Sequence, residues 1–130
     1  MTKEQLKAIL ENHKKWLDGQ GGEPAILKSA DLTGADLTNA DLTSADLTNA
    51  ILRGADLTNA ILRGANLIWA DLTSADLTDA DLTSANLTGT ILKGADLIDT
   101  DLTSANLTGT ILKGADLTNA DLTDADLIKE

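Results

Sequence analysis

DLTSANLTGTILKGADLIDT, residues 81–100, is followed directly by DLTSANLTGTILKGADLTNA, residues 101–120, and the two stretches differ only at their last three positions. Every fifth residue from Leu27 to Leu127 is leucine, and the residue two before each leucine is alanine or threonine. A period of five fits neither a helix, which repeats about every 3.6 residues, nor a strand, which alternates. It predicts a solenoid, in which each short unit buries its apolar side by stacking on its neighbours.

Each five-residue unit reads as a short straight edge followed by a corner. In residues 35–39, Ala35 and Leu37 are two apart, so an extended backbone points both inward and Asp36 outward. The last residue of a unit is mostly Gly, Asn, Ser or Asp, and these types tolerate the backbone of a tight turn. The pattern therefore predicts leucine and alanine inside and polar residues outside.

The near-copy at a lag of twenty residues predicts four edges in each coil. The outward residues keep the same register, with aspartates in one phase and isoleucines, each followed by a basic residue, in another. Twenty-one units then make about five coils, a rod about 25 Å long at the spacing of paired strands. The predicted fold class is an all-β solenoid of square section.

Residues 1–24 lack the repeat and predict a helical cap. Thr2 and Gln5 form a capping box, the helix runs from about Lys3 to Asp18, and Gly19 stops it. An apolar stripe on this helix predicts that it covers the open first coil, as repeat proteins require; its members are Leu6, Ile9, Leu10, Trp16 and Leu17. Residues 19–22 predict a flexible link. We assign 1–24 to the cap and linker, and 25–130 to the repeat.

The units ADLTN, ADLTS, ANLTG and AILRG resemble the A(D/N)LXX repeat of the pentapeptide-repeat family, and the resemblance runs from Ala25 to Lys129. It implies a right-handed quadrilateral β-helix. The chain departs from the family pattern in having leucine, and never phenylalanine, at every central position, which suggests an evenly filled interior. We read the chain as a non-catalytic structural or protein-interaction module.

Composition narrows the classes of function. The net charge is −11, and the charges of residues 1–24 cancel, so the acidity belongs to the repeat. This argues against direct binding to nucleic acid or anionic lipid and favours solubility, a basic protein partner or no more than mutual repulsion. There is no cysteine, no signal peptide pattern and no apolar run long enough for a membrane span, which predicts a cytoplasmic protein. The single histidine, His13, has no second ligand or nucleophile beside it. We therefore predict no enzyme, metal or cofactor.

Two outward features are candidate interaction surfaces. Ile68 and Trp69 share one corner, where the tryptophan either makes a contact site or lies flat over neighbouring corners. The other feature is a column of aspartates at a spacing of twenty residues, namely Asp36, Asp56, Asp76, Asp96 and Asp116. These carboxylates stand on separate coils without an enclosing loop, which argues against a cation site.

The aspartate column leaves two main readings open, since it either mimics nucleic-acid phosphates or only keeps the rod soluble. The first is the role of the quinolone-resistance relatives, which occupy the DNA site of gyrase, a type II topoisomerase. Those relatives dimerise through a C-terminal helix, and this sequence predicts none after Asp126. A third idea, ice binding by the threonine row Thr83, Thr103 and Thr123, is opposed by the charged residues Asp81, Asp101 and Asp121 on the same face.

The solenoid carries four further expectations. Stacked like charges should raise the pKa of some aspartates on folding, so stability should fall as pH rises. The threonines that replace alanine, Thr90, Thr100 and Thr110, need backbone acceptors for their hydroxyls. Replacing Leu77 by alanine should cost more stability than replacing Leu127. The last coil has no evident cap, which predicts weak end-to-end self-association through Leu122 and Leu127.

Overall fold

The computed structural model describes residues 1–127, which form one helix followed by a stack of coils. Helix α1 spans Lys3–Leu17. At its start the Gln5 N–H donates to the Thr2 hydroxyl at 3.0 Å, and the Thr2 N–H donates to the Gln5 side chain at 2.8 Å. At its end Asp18 is the C-cap and Gly19 has a φ of 71°. The capping box and the glycine stop are both present as predicted.

Single-residue parallel bridges, not strands, join the coils within residues 1–127. Each outward residue from Ile26 to Asn106 bridges to the residue twenty positions further on, so a coil contains four five-residue units. The Leu57 N–H donates to the Asp76 carbonyl at 2.7 Å, and the Asp76 N–H donates to the Ala55 carbonyl at 2.9 Å. The extended edges are shorter than an all-β solenoid suggests, because only one outward residue separates successive corners.

The corners have the left-handed backbone that their residue types predict. Asn39 has a φ of 63°, and the Ala40 N–H closes the turn on the Leu37 carbonyl at 3.0 Å. The same geometry recurs at Ser, Asp and Gly in the later corners. Trp69 is the exception in residue type, since it holds a φ of 63° with a bulky side chain.

The core is a ladder of leucines with alanines beside them. Every ladder leucine from Leu27 to Leu107 is at most 3% exposed, whereas Leu127 is 44% exposed. Three threonines replace alanine and donate their hydroxyls to carbonyls of the preceding coil. These bonds confirm the expected backbone acceptors, and they join Thr90 to Leu67 at 2.7 Å, Thr100 to Leu77 at 2.7 Å and Thr110 to Leu87 at 2.8 Å.

Helix α1 lies against the first coil, and His13 joins the two. Leu6 belongs to the core, and Ile9 and Leu10 pack beside it. His13 is fully buried, although the sequence does not place it among the apolar residues of the helix. The Ala25 N–H donates to Nδ1 at 2.8 Å, so the proton lies on Nε2, which donates to the Thr43 carbonyl at 3.0 Å.

The His13 side chain replaces a backbone donor that the first coil lacks. In later coils a corner N–H donates across to the next coil, as the Ser44 N–H does to the Arg63 carbonyl at 2.8 Å. By the same register the Thr43 carbonyl would accept from residue 24, which is proline and has no N–H. His13 replaces this donor. Both ring nitrogens are engaged, so neither is available to a metal or a substrate.

The segment between α1 and the coils contacts the helix closely at Gly22. A Cβ added to Gly22 would overlap the Asn12 carbonyl oxygen and lie 2.8 Å from the Lys15 Cβ. Gly22 has a φ of 71°. Gly22 is required there, because only a glycine lets the backbone approach the helix so closely; the flexibility of residues 19–22 stays a prediction. Gly19 and Gly21 face open space.

Candidate interaction surfaces

The outward residues form four columns that divide the rod into two chemically different halves. The acidic half comprises the columns that begin at Asp36 and Asp41 with the corners that follow them. The neutral half comprises the columns that begin at Ile26 and Asp31 with their corners. Within residues 25–127 the acidic half has twelve acids and one base, Arg63, while the neutral half has four of each. The net charge therefore lies on one side of the rod.

The outward aspartates stabilise the corners. Asp56 Oδ1 accepts the Thr58 N–H at 3.0 Å and the Thr58 hydroxyl at 2.6 Å. Asn86 Oδ1 accepts the same two donors from Thr88, at 3.1 Å and 2.7 Å. An Asp or Asn followed two residues later by Thr is thus a local corner motif, whichever half it lies on.

The aspartate column uses one carboxylate oxygen of each member for its own corner. All five members accept the corner N–H at Oδ1, and the Thr38 side chain also hydrogen-bonds to the carboxylate of Asp56 on the next coil. Asp76 and Asp96 in the middle of the rod are half-buried, and the outer members are exposed. The column is a row of oriented anionic oxygens. A single such row, without other ligands around it, resembles a charged surface more than a binding pocket.

At three members of the aspartate column, Asp36, Asp56 and Asp116, the pKa shift is opposite to the expectation from like-charge stacking. The hydroxyl and the backbone N–H of Thr58 lower the pKa of Asp56, and Thr118 does the same for Asp116. Thr38 lowers the pKa of Asp36, and the repulsion from Asp56 is a smaller opposing effect. The predicted rise in pKa is wrong, because hydrogen bonds to the charged form outweigh repulsion between solvated neighbours.

Two arginines pair with acids of the following coil. Arg53 Nε lies 2.5 Å from Asp71 Oδ2, and Arg63 Nε lies 2.6 Å from Asp81 Oδ2. Burial raises the pKa of Asp71, but the Thr73 and Arg53 hydrogen bonds bring it below its usual value. In each pair the acid lies eighteen positions after the base.

The same register gives Lys93 of the neutral half no such partner, because the residue eighteen positions later is Ile111. A carboxylate still lies nearby, since Asp96 follows three residues later on the other side of the same corner. Lys113 follows one coil later, where the Gly94 N–H donates to its carbonyl at 2.9 Å. Neither lysine makes an ion pair within the described chain. Ile111 beside them is 48% exposed.

Trp69 lies on the neutral half and covers the corner of the next coil. A Cβ added to Gly89 would lie 2.6 Å from the Trp69 ring, so the ring rests against this glycine. Trp69 remains 62% exposed, whereas Ile68 is half-buried, contrary to the expectation that both are exposed. The indole therefore covers a neighbouring corner and still presents a face to solvent.

The structure separates the predicted surface residues into two regions. It brings the five aspartates into one column of the acidic half, and it places Trp69 and Ile68 at a corner of the neutral half. The covering of a neighbouring corner by Trp69 was one of the two readings of the sequence, and the Trp69–Gly89 contact bears it out. The sequence analysis missed that Lys93 lacks the partner that Arg53 has, although the isoleucine eighteen residues later is visible in the sequence.

The coils offer no catalytic arrangement among the described residues. A cleft of about 630 Å³ lies between α1 and the first coil, with Leu6, Leu10 and Leu32 among its lining. This cleft lies where the helix leans over the end of the first coil. The described residues include no cluster of His, Cys, Asp or Glu suited to a metal. Helix α1 is too short and too polar to cross a bilayer, and residues 1–127 contain no other helix.

Comparison with known proteins places this geometry among related chains. The family model for pentapeptide repeats matches residues 25–64, 65–103 and 100–129. No curated protein sequence matches the chain. Among solved structures, the chain is similar to the pentapeptide repeat protein Rfr23 from the cyanobacterium Cyanothece 51142. The TM-score is 0.72 at 27% identity, covering 91% of this chain and 98% of Rfr23.

Two further structures differ in how closely they match. A pentapeptide repeat protein from the Arabidopsis thaliana thylakoid lumen gives a TM-score of 0.60 at 34% identity, covering 82% of this chain and 70% of that one. QnrB1, a plasmid-mediated fluoroquinolone resistance protein, gives 0.36 at 21% identity, covering 75% of this chain and 60% of QnrB1. Rfr23 and the Arabidopsis protein imply a right-handed quadrilateral β-helix, as the sequence resemblance does.

Proposed function

Because the chain belongs to the pentapeptide-repeat family, we propose that it is a non-catalytic module that acts by binding another protein. Pentapeptide-repeat proteins are generally structural or interaction proteins, not enzymes. The observation that carries the proposal is the division of charge. One core supports two halves, of which one holds twelve acids against one base and the other four of each. A uniform solubilising surface would not require that segregation.

The proposal also includes the handedness of the coil, the cap, the cellular location and self-association. A right-handed, four-sided coil is supported by the bridges at twenty residues and by the likeness to Rfr23. Residues 1–24 act as the cap of the repeat at 25–130, and the protein works in the cytoplasm, which fractionation of host cells would test. The 44% exposure of Leu127 supports weak end-to-end association. Residues 128–130, the rest of that end, lie outside the described residues.

Site-directed photocrosslinking in the native host tests the proposal. A photoreactive residue replaces Asp76 in one variant, for the acidic half, and Asn86 in the other, for the neutral half. We expect one variant to crosslink a discrete protein and the other to serve as its matched control. The absence of a crosslinked protein from both variants would contradict the interaction role.

A second candidate is an acidic mimic of DNA that binds a type II topoisomerase such as gyrase. The row of carboxylates in the aspartate column favours it. The likeness to QnrB1 carries no argument at its TM-score, so the alternative depends on the column alone. A gyrase supercoiling assay decides it, with D76N/D96N as the matched variant. Equal supercoiling with and without the wild-type protein would exclude the mimic and leave the first proposal untouched.

A further inference from the structure

His13 is the ionisable side chain that residues 1–127 bury completely, and it lies where α1 meets the coils. Its Nδ1 accepts the Ala25 N–H at 2.8 Å, and its Nε2 donates to the Thr43 carbonyl at 3.0 Å. These two bonds use the lone pair of one ring nitrogen and the proton of the other. The docked helix therefore fits the neutral ring, in one tautomer.

A second proton on this ring would oppose the docking of α1. It would bind to Nδ1, where the new N–H and the Ala25 N–H would be two donors facing each other at 2.8 Å. The ring would also carry a positive charge without contact with water, which is costly unless the charge is paired. The Trp16 ring, 5.4 Å away and tilted by 31°, attracts a cation only weakly by comparison.

The charged side chains on the elements around His13 do not supply a counter-charge. All are exposed, and on α1, before Ala25 and beside Thr43 they are Glu11, Lys14, Lys15, Glu23 and Asp41. Lys14 pairs with Asp18 at 3.6 Å, and Asp41 Oδ1 accepts the Thr43 N–H and hydroxyl at 3.1 Å and 2.6 Å. Among the described residues, no carboxylate bonds to the ring. A protonated His13 would be a buried, unpaired cation.

Helix α1 covers the apolar end of the first coil. The ladder leucines from Leu27 to Leu42 are at most 3% exposed, whereas Leu117 and Leu122, near the other end, are half-buried. Leu32 of the first coil and Leu6 of α1 line the same cleft. Release of the helix would therefore expose leucines that the rest of the rod leaves uncovered.

We infer that protonation of His13 releases α1, so that this end of the rod is closed at neutral pH and opens in mild acid. A histidine in water takes up its proton near pH 6.5, at about the unperturbed value. The released helix therefore binds one proton more than the docked helix, and docking weakens by up to about tenfold for each pH unit below that value. This device does not depend on the proposed interaction role.

Thiol labelling measures the opening, because the chain contains no cysteine of its own. One variant carries Leu32→Cys, beneath α1, and the matched control carries Leu77→Cys, which is fully buried two coils further along. Both react with a maleimide at pH 7, 6 and 5, and the ratio of the two rates cancels the titration of the thiol itself. We expect the ratio, Leu32→Cys over Leu77→Cys, to increase about tenfold or more from pH 7 to pH 5.

His13→Asn, added to both labelling variants, tests whether the histidine is the cause. Asparagine keeps an acceptor for the Ala25 N–H and takes up no proton, so the ratio should not change with pH, whether or not α1 docks. Far-ultraviolet circular dichroism verifies that each variant folds. Since the chain has one histidine, NMR of its ring follows the protonation, which should occur over the same pH range as the labelling.

Three results would overturn the inference. The first is a labelling ratio that stays constant from pH 7 to pH 5. The second is an equal increase in the presence of His13→Asn. The third is a His13 ring that takes up its proton while position 32 stays protected, since the docked helix would then accept the charged ring.

Discussion

The acidic half and the neutral half share one leucine core and differ in what their outward positions present. Below the surface, Leu77 under the aspartate column and Leu87 under the asparagine row are both fully buried. On the surface, an Asp–Thr pair and an Asn–Thr pair make the same corner. An outward side chain that accepts from the corner therefore need not be charged, and the isoleucines at other outward positions show that a corner closes without such an acceptor. The charge at the outward positions is therefore free to suit a binding partner.

The largest expected effect tests whether the two halves share a core. Leu77→Ala and Leu87→Ala should each cost about 2–5 kcal/mol of unfolding free energy, because each leaves a cavity in a filled interior. Leu127→Ala should cost much less, since Leu127 is 44% exposed. Chemical denaturation measures all three. Losses at Leu77 and Leu87 that differ as much as those at Leu77 and Leu127 would mean that the halves do not share one core.

The tryptophan corner of the neutral half gives the next effect. Gly89→Ala should cost more than Gly109→Ala, although both glycines have positive φ, at 67° and 69°. A Cβ at Gly89 meets the Trp69 ring at 2.6 Å, whereas the atom nearest to one at Gly109 is 3.8 Å away. The shared backbone penalty is about 1–2 kcal/mol, and the contact adds to it. Thermal melts measure both losses. In a Trp69→Ala background, which removes the ring, Gly89→Ala and Gly109→Ala should lose the same stability, and a difference that persists there would contradict the contact.

The dependence of stability on pH comes from the corner hydrogen bonds. Thr58, Thr118 and Thr38 lower the pKa of the aspartates they contact, so the folded chain binds fewer protons than the unfolded chain below neutrality. Stability from these groups is present above the ordinary aspartate range and is lost as pH falls through their lowered pKa values. Melting temperature should therefore decrease with acidification, which reverses the expectation from like-charge stacking. A melting temperature that increases on acidification at low salt would contradict this assignment.

A single substitution sharpens the same comparison at one residue. Thr58→Val removes the hydroxyl but keeps the backbone donor, so the pKa of Asp56 should move up toward its ordinary value. Thr88→Val removes the equivalent hydroxyl beside Asn86, which cannot titrate, and serves as the control. NMR titration of the Asp56 carboxyl measures the change. A pKa that moves equally in both variants would show that the hydroxyl is not its cause.

The smallest effect compares Arg53, which makes an ion pair, with Lys93, which makes none within the described residues. Arg53→Ala should cost about 1 kcal/mol or less, because the Arg53 side chain is 65% exposed and solvated, although the Asp71 side chain that loses it is only 13% exposed. Lys93→Ala should cost nothing measurable, since the position eighteen residues later is isoleucine. Equilibrium denaturation at low and high salt compares the two. A Lys93→Ala loss as large as that of Arg53→Ala would reveal an ion pair that the register does not predict.

Most of the coil geometry could be predicted from the sequence, because the unit and the coil each repeat in the residue order. The near-copy of 81–100 at 101–120 predicts twenty residues in each coil, and the residue types at the corners predict a left-handed backbone there. Trp69 over Gly89 could have been found by the same lag. The role of His13 could not, because it depends on how a non-repeating helix meets the first coil. The titration was mispredicted because charges were counted without the threonine hydroxyls beside them.

The imidazole that stands in for the missing Pro24 donor has a consequence for how such a rod lengthens. With that corner closed by a side chain of α1, a twenty-residue segment can be duplicated further along without disturbing the closed end. The near-identity of residues 81–100 and 101–120 is the mark that such a duplication leaves. Length in this molecule is therefore adjustable from one direction, and its outward chemistry can diverge afterwards, coil by coil.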